Sequence, residues 1–74
     1  MTVKRLNEIA ERVHDIEINY QIHFEMDVVE KTKYVDELLE FSDELLKVLD
    51  SYKYFWIMQT LLHDISRVTS ELLK

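Results

Sequence analysis

A chain of 74 residues without cysteine, glycine or proline has room for one domain, over residues 1–74, and no disulfide or thiolate metal site can hold it together. The missing glycines exclude dinucleotide and P-loop fingerprints, and a net charge of −6 argues against direct contact with nucleic acid, because affinity for phosphate rests on Lys and Arg. No apolar run approaches the roughly 20 residues that span a bilayer, so a soluble, cytoplasmic protein without a membrane partner is expected.

At this length one core rarely contributes more than about 3–5 kcal/mol of stability. A hydrophobic fraction of 47% in so acidic a chain leaves self-association as the obvious further source of buried area. The expected fold is all-α, an antiparallel helical hairpin or three-helix bundle assembled as a homodimer.

Thr2 is placed to cap a first helix, in which Val3, Leu6, Ala10 and Val13 recur at helical spacing with Ile9 and Ile16 beside them. Glu8, Glu11, Arg12 and Asp15 take the other face, and Glu8 with Arg12 makes a favourable i,i+4 pair. From Ile16 to Val28 apolar and polar residues alternate without a break, which admits two readings. As a helix, Ile16, Tyr20, Phe24 and Val28 extend the first stripe, and Ile18, Ile22, Met26 and Val29 form a second one for a partner copy. That gives one helix of about 27 residues, roughly 40 Å long. As a strand, the stretch finds no alternating partner within the chain and pairs only with its copy, in a ribbon-helix-helix-like dimer. Asp27 and Glu30 then form a capping box opening the next helix.

Glu30 to Lys33 lacks any apolar residue and is the predicted first connection, with Thr32 as the following cap. From Tyr34 to Leu49 one seam is Tyr34, Leu38, Phe41, Leu45 and Val48, and its neighbour is Val35, Leu39, Leu46 and Leu49. Together they cover enough of the helix to touch two others. Asp50 and Ser51 mark the second boundary, with Ser51 as a cap. The final helix, Tyr54 to Leu72, repeats Tyr54, Met58, Leu61, Ile65, Val68 and Leu72 in steps of four and three, widened by Phe55, Ile57, Leu62 and Leu73.

The segment from Glu25 to Asp50 carries the whole net charge of −6. Asp36, Glu40, Asp43 and Glu44 therefore present an acidic face to a protein partner with a basic surface, including one whose DNA site the acids mimic. Glu11-x-x-His14 has the spacing of half a di-iron bundle site, but its second half is missing, so no metal or cofactor is expected. Carboxylates spread over a helix surface are not an acid–base pair by themselves. No nucleophilic constellation has geometric support, so no enzyme is expected.

Phe41-Ser42-Asp43-Glu44-Leu45-Leu46-Lys47-Val48-Leu49, followed by Tyr52, resembles the second-helix signature of the small aspartyl-phosphate phosphatases of sporulating bacteria, which are helical hairpins of comparable size. That family reads Ser-Gln-x-Leu-Asp at this point. Here Asp43 stands in place of the glutamine and Leu46 in place of the functional aspartate. A phosphatase-like regulator is accordingly the less favoured alternative.

The remaining signal is Tyr52 and Trp56, which project from the side of the last helix away from its seam, with Thr60, His63 and Arg67. Trp, Tyr and Arg are enriched at binding hot spots. Tyr52, Trp56, His63 and Arg67 are therefore the candidate partner-binding ridge of a non-enzymatic acidic regulator or inhibitor. A ribbon-helix-helix-like regulator is the alternative tied to the strand.

Overall fold

Thr2 opens the first helix as its hydroxyl oxygen accepts a hydrogen bond from the Arg5 amide at 3.1 Å. The computed structural model describes residues 2–22, 25–48 and 54–74. Those residues form three helices and no strand: α1 (Val3–Ile22), α2 (Val28–Lys47) and α3 (Phe55–Leu72). The predicted all-α bundle is thus present in its three-helix form.

The core follows from steps of three and four. Leu6, Ile9, Val13 and Ile16 are the buried stripe of α1, Leu38 and Leu45 that of α2, and Met58, Leu61, Ile65, Val68 and Leu72 that of α3. Tyr20, Tyr34, Val35, Phe41, Val48, Tyr54 and Leu62 pack half-buried around them. Burying a side chain of this size stabilises by about 1.5–3 kcal/mol, so α3, with the longest buried stripe, anchors the other two helices.

Two ion pairs fix the direction of α2. Arg5 reaches Glu44 and Arg12 reaches Glu37, so ascending positions on α1 meet descending positions on α2. Arg67 on α3 pairs with Glu17 on α1, and both lie towards the C-terminal ends of their helices, so α3 runs parallel to α1. The result is a rod of 40 × 17 × 15 Å.

Neither reading of residues 16–28 survives intact. Ile16 to Ile22 is helical, which overturns the strand and the ribbon-helix-helix alternative built on it. The continuous helix is overturned as well, because Asp27 has extended geometry (φ −74°, ψ 168°) and its carboxylate accepts from the Glu30 amide at 2.8 Å. This is the cap foreseen in the strand reading, and it here separates two helices. Met26, expected on the second outward stripe, is instead 9% exposed in the connection.

Glu30 to Lys33 is not a connection but the first turns of α2. Thr32 does not cap a helix there, because its hydroxyl donates back to the Val28 carbonyl at 2.8 Å. Val28, assigned to the core stripe, is 77% exposed, and the expected neighbouring seam turns outward at Leu39 (52%) and Leu46 (56%). Ile57 and Leu73 are exposed rather than widening the core. Arg12 turns to Glu37 on α2, through Nε at 2.7 Å and Nη2 at 2.9 Å, in place of the expected Glu8 pairing. The predicted boundary at Asp50 and Ser51, together with His23, Phe24, Leu49 and Tyr52, lies outside the described residues.

Candidate protein-interaction surface

Trp56 sits in the first turn of α3, opposite the core stripe, and its side chain is 77% exposed. Its ring meets the Phe55 ring edge to face, with centroids 5.7 Å apart and planes at 79°. The Thr60 hydroxyl donates to the Trp56 carbonyl at 3.0 Å, one turn along the same ridge. Beside Trp56, a shallow groove of about 370 Å³ runs between the N-terminal halves of α1 and α3. Leu6 and Ala10 line it from α1, and Ile57 and Leu61 from α3, with Asn7 and Asp64 as its polar rim. Ile57 is 56% exposed, so the tryptophan stands at the mouth of an apolar strip.

Of the other ridge residues, His63 is exposed on the same side and Tyr52 lies outside the described residues. Arg67 is turned towards α1, where it donates to Glu17 and lies within 4 Å of Asp64 (3.9 Å) and Glu71 (3.8 Å). The hydrogen bond from Arg67 holds the Glu17 carboxyl below its ordinary range, aided by the guanidinium charge and opposed by partial burial. Arg67 is thereby a tie between helices before it is a contact for a partner.

The acidic residues divide in the same way. Glu44 receives Arg5 Nε at 2.8 Å, and the Arg5 guanidinium lies over the Phe41 ring at 5.7 Å. Asp36, Glu40 and Asp43 are exposed on the outer face of α2, and no ion pair among the described residues neutralises them. These three acids and the Trp56 ridge stand on different helices, each on the side turned from the core, so they do not form one site.

A larger open cavity of about 750 Å³ lies at the α1–α2 connection, between Asn19, Ile22, Glu25, Met26, Asp27, Glu30 and Tyr34. Asp27 is already engaged as the helix cap there. Among the described residues no group of three or more His, Asp or Glu side chains is arranged to hold a metal ion. Glu11 and His14 are both exposed. Leu46, at the position where the resembling phosphatases carry their functional aspartate, is an exposed apolar side chain. No helix among the described residues is long and apolar enough to cross a membrane.

Sequence reasoning missed the paired arrangement of Arg5 and Arg12 with Glu44 and Glu37. Its signal was present in two arginines seven apart and two glutamates seven apart, which meet when their helices run antiparallel. Compared with known protein families, curated proteins and solved structures, the chain matches none.

Proposed function

We propose that the chain is a non-enzymatic, acidic regulatory or inhibitory protein that acts by binding another protein and that assembles as a homodimer. The observation that carries this reading is Trp56, 77% exposed beside an apolar groove. A tryptophan left outside the core at the mouth of an apolar strip has the character of an interface anchor. The partner's apolar side chain enters the groove between Ala10 and Leu61, with Trp56 closing over it. Asp36, Glu40 and Asp43 raise the encounter rate with a basic surface, since opposite charges attract over about 8 Å at physiological ionic strength.

The test begins with affinity capture from the native host, identification of the captured protein and reconstitution with that protein purified. Trp56→Ala should weaken the reconstituted complex by about 30-fold or more, the effect of losing an anchor worth about 2 kcal/mol. Reversal of charge at Glu40 and Asp43 should lower the association rate and its dependence on salt. Equal affinity of wild type and Trp56→Ala would overturn the proposal.

A further inference from the structure

The outward face of α2 carries a second repeat, of which the core takes up only Val35, half-buried. Val28, Thr32, Val35, Leu39, Ser42 and Leu46 recur in steps of four and three, the spacing that seats one helix along another. Val28, Leu39 and Leu46 on this line are 77%, 52% and 56% exposed. The stripe opens towards α3, since Val28 and Val35 share a groove of about 320 Å³ with Leu72 and Leu73 at the end of that helix. On α3, Phe55, Leu62 and Leu73 lie on the matching flank by helical spacing, the first two half-buried and Leu73 70% exposed. Together the two helices present an apolar face along the length of the rod.

We propose that a second copy of this chain covers the α2–α3 face, with α2 of each copy lying antiparallel on α3 of the other about a two-fold axis along the rod. This rests on the self-association in the reading above and specifies its surface and geometry. Three observations favour a second copy. The seam asks for a helix of its own length, and α3, at 18 residues against 20 for α2, is one. Charge selects the arrangement as well. Asp36 and Asp43 flank the seam on α2, whereas the matching flank of α3 carries Gln59, His63, Ser66 and Ser70 and no acid. The α3 acids Asp64 and Glu71 lie beside Arg67, on the side of α1. Laying α2 on its own copy would instead bring the acidic flanks together. Finally, a rod face of 40 × 17 Å is of the order of the roughly 800 Å² per partner that a stable interface buries.

The test is sedimentation equilibrium of the full chain at micromolar concentration, with Leu39→Glu combined with Leu46→Glu, and with Ile18→Glu on the outer face of α1 as control. The wild type and Ile18→Glu should be dimers. The double variant should keep its helical circular dichroism while its dimer dissociation constant rises about 100-fold or more, because each copy withdraws two leucines from the interface. If the glutamates disturb the helix, Leu39→Gln and Leu46→Gln made singly carry the same test with a smaller shift. A wild-type monomer at tens of micromolar would overturn both the face and the self-association behind it. A wild-type dimer that the leucine variants leave intact would overturn the face alone.

Discussion

Leu38 and Leu39 are neighbours on α2, yet Leu38 is completely buried and Leu39 is 52% exposed. One points between α1 and α3, and the other lies on the outward seam. The same substitution should therefore have opposite weights. In the isolated subunit Leu38→Ala should cost about 2–5 kcal/mol, comparable to the whole stability of so short a chain. Leu39→Ala should change the urea midpoint of that subunit little. Similar losses at both positions would place Leu39 in the core.

The connection between α1 and α2 depends on one carboxylate. Asp27→Ala removes the acceptor for the Glu30 amide and should lower stability by about 1 kcal/mol, whereas Asp27→Asn should retain most of it. Chemical denaturation of the two variants checks this directly. An alanine variant as stable as the wild type would mean that the cap contributes nothing to the break between the helices.

This break also shows how far the sequence could be read. The all-helical class, the stripe of α3 and the cap residue Asp27 were legible, because each depends on local spacing or on one side chain. The α1 stripe was legible only in part, since Leu6 and Val13 are buried with Ile9 and Ile16 while Val3 and Ala10 turn outward. The end of α1 was not legible. Ile16 to Val28 fits two apolar stripes at once, and only the cap at Asp27 and the burial of Met26 select the turn. The outward rotation of Leu39 and Leu46 was hidden for a related reason. A stripe covering half a helix suits three neighbouring helices as well as two, and periodicity does not count them. For the binding surface, Trp56 could be read as exposed from its helical offset alone. That Arg67 and Glu44 are engaged by Glu17 and Arg5 depends on which helices face each other, which is a tertiary fact.

Arg12 and Glu37 form a two-point pair between α1 and α2, and the Arg12 guanidinium also lies 5.8 Å from the Tyr34 ring centroid. Both side chains keep solvent contact, at 41% and 31% exposure, which limits the gain. A double-mutant cycle with Arg12→Ala and Glu37→Ala should return a coupling of about 0.5–1 kcal/mol that declines with added salt. A coupling indistinguishable from zero at low salt would remove this pair from the forces that set the α1–α2 register.

Glu17 gives the fold a pH dependence of known sign. Its carboxyl is held below the ordinary value of 4.5, first by the hydrogen bond from Arg67, so the folded chain binds a proton there less readily than the unfolded one. The stability this contributes is complete above about pH 4.5 and disappears as pH falls through the lower native value. The melting-temperature gap between wild type and Glu17→Gln should accordingly be constant near neutrality and close in acid. A gap that stays the same down to pH 2 would show that the pairing adds no pH-linked stability.

On the proposed reading, Trp56 is held outside the core for a partner. It is the only tryptophan in the chain, so its fluorescence reports on that position alone. The direct measurement is acrylamide quenching of the folded chain, free and then saturated with the captured partner. The expected result is strong quenching and a solvent-exposed emission maximum in the free chain, followed by a blue shift and protection in the complex. Emission already blue-shifted and protected in the free chain, or unchanged by the partner, would contradict this role for Trp56.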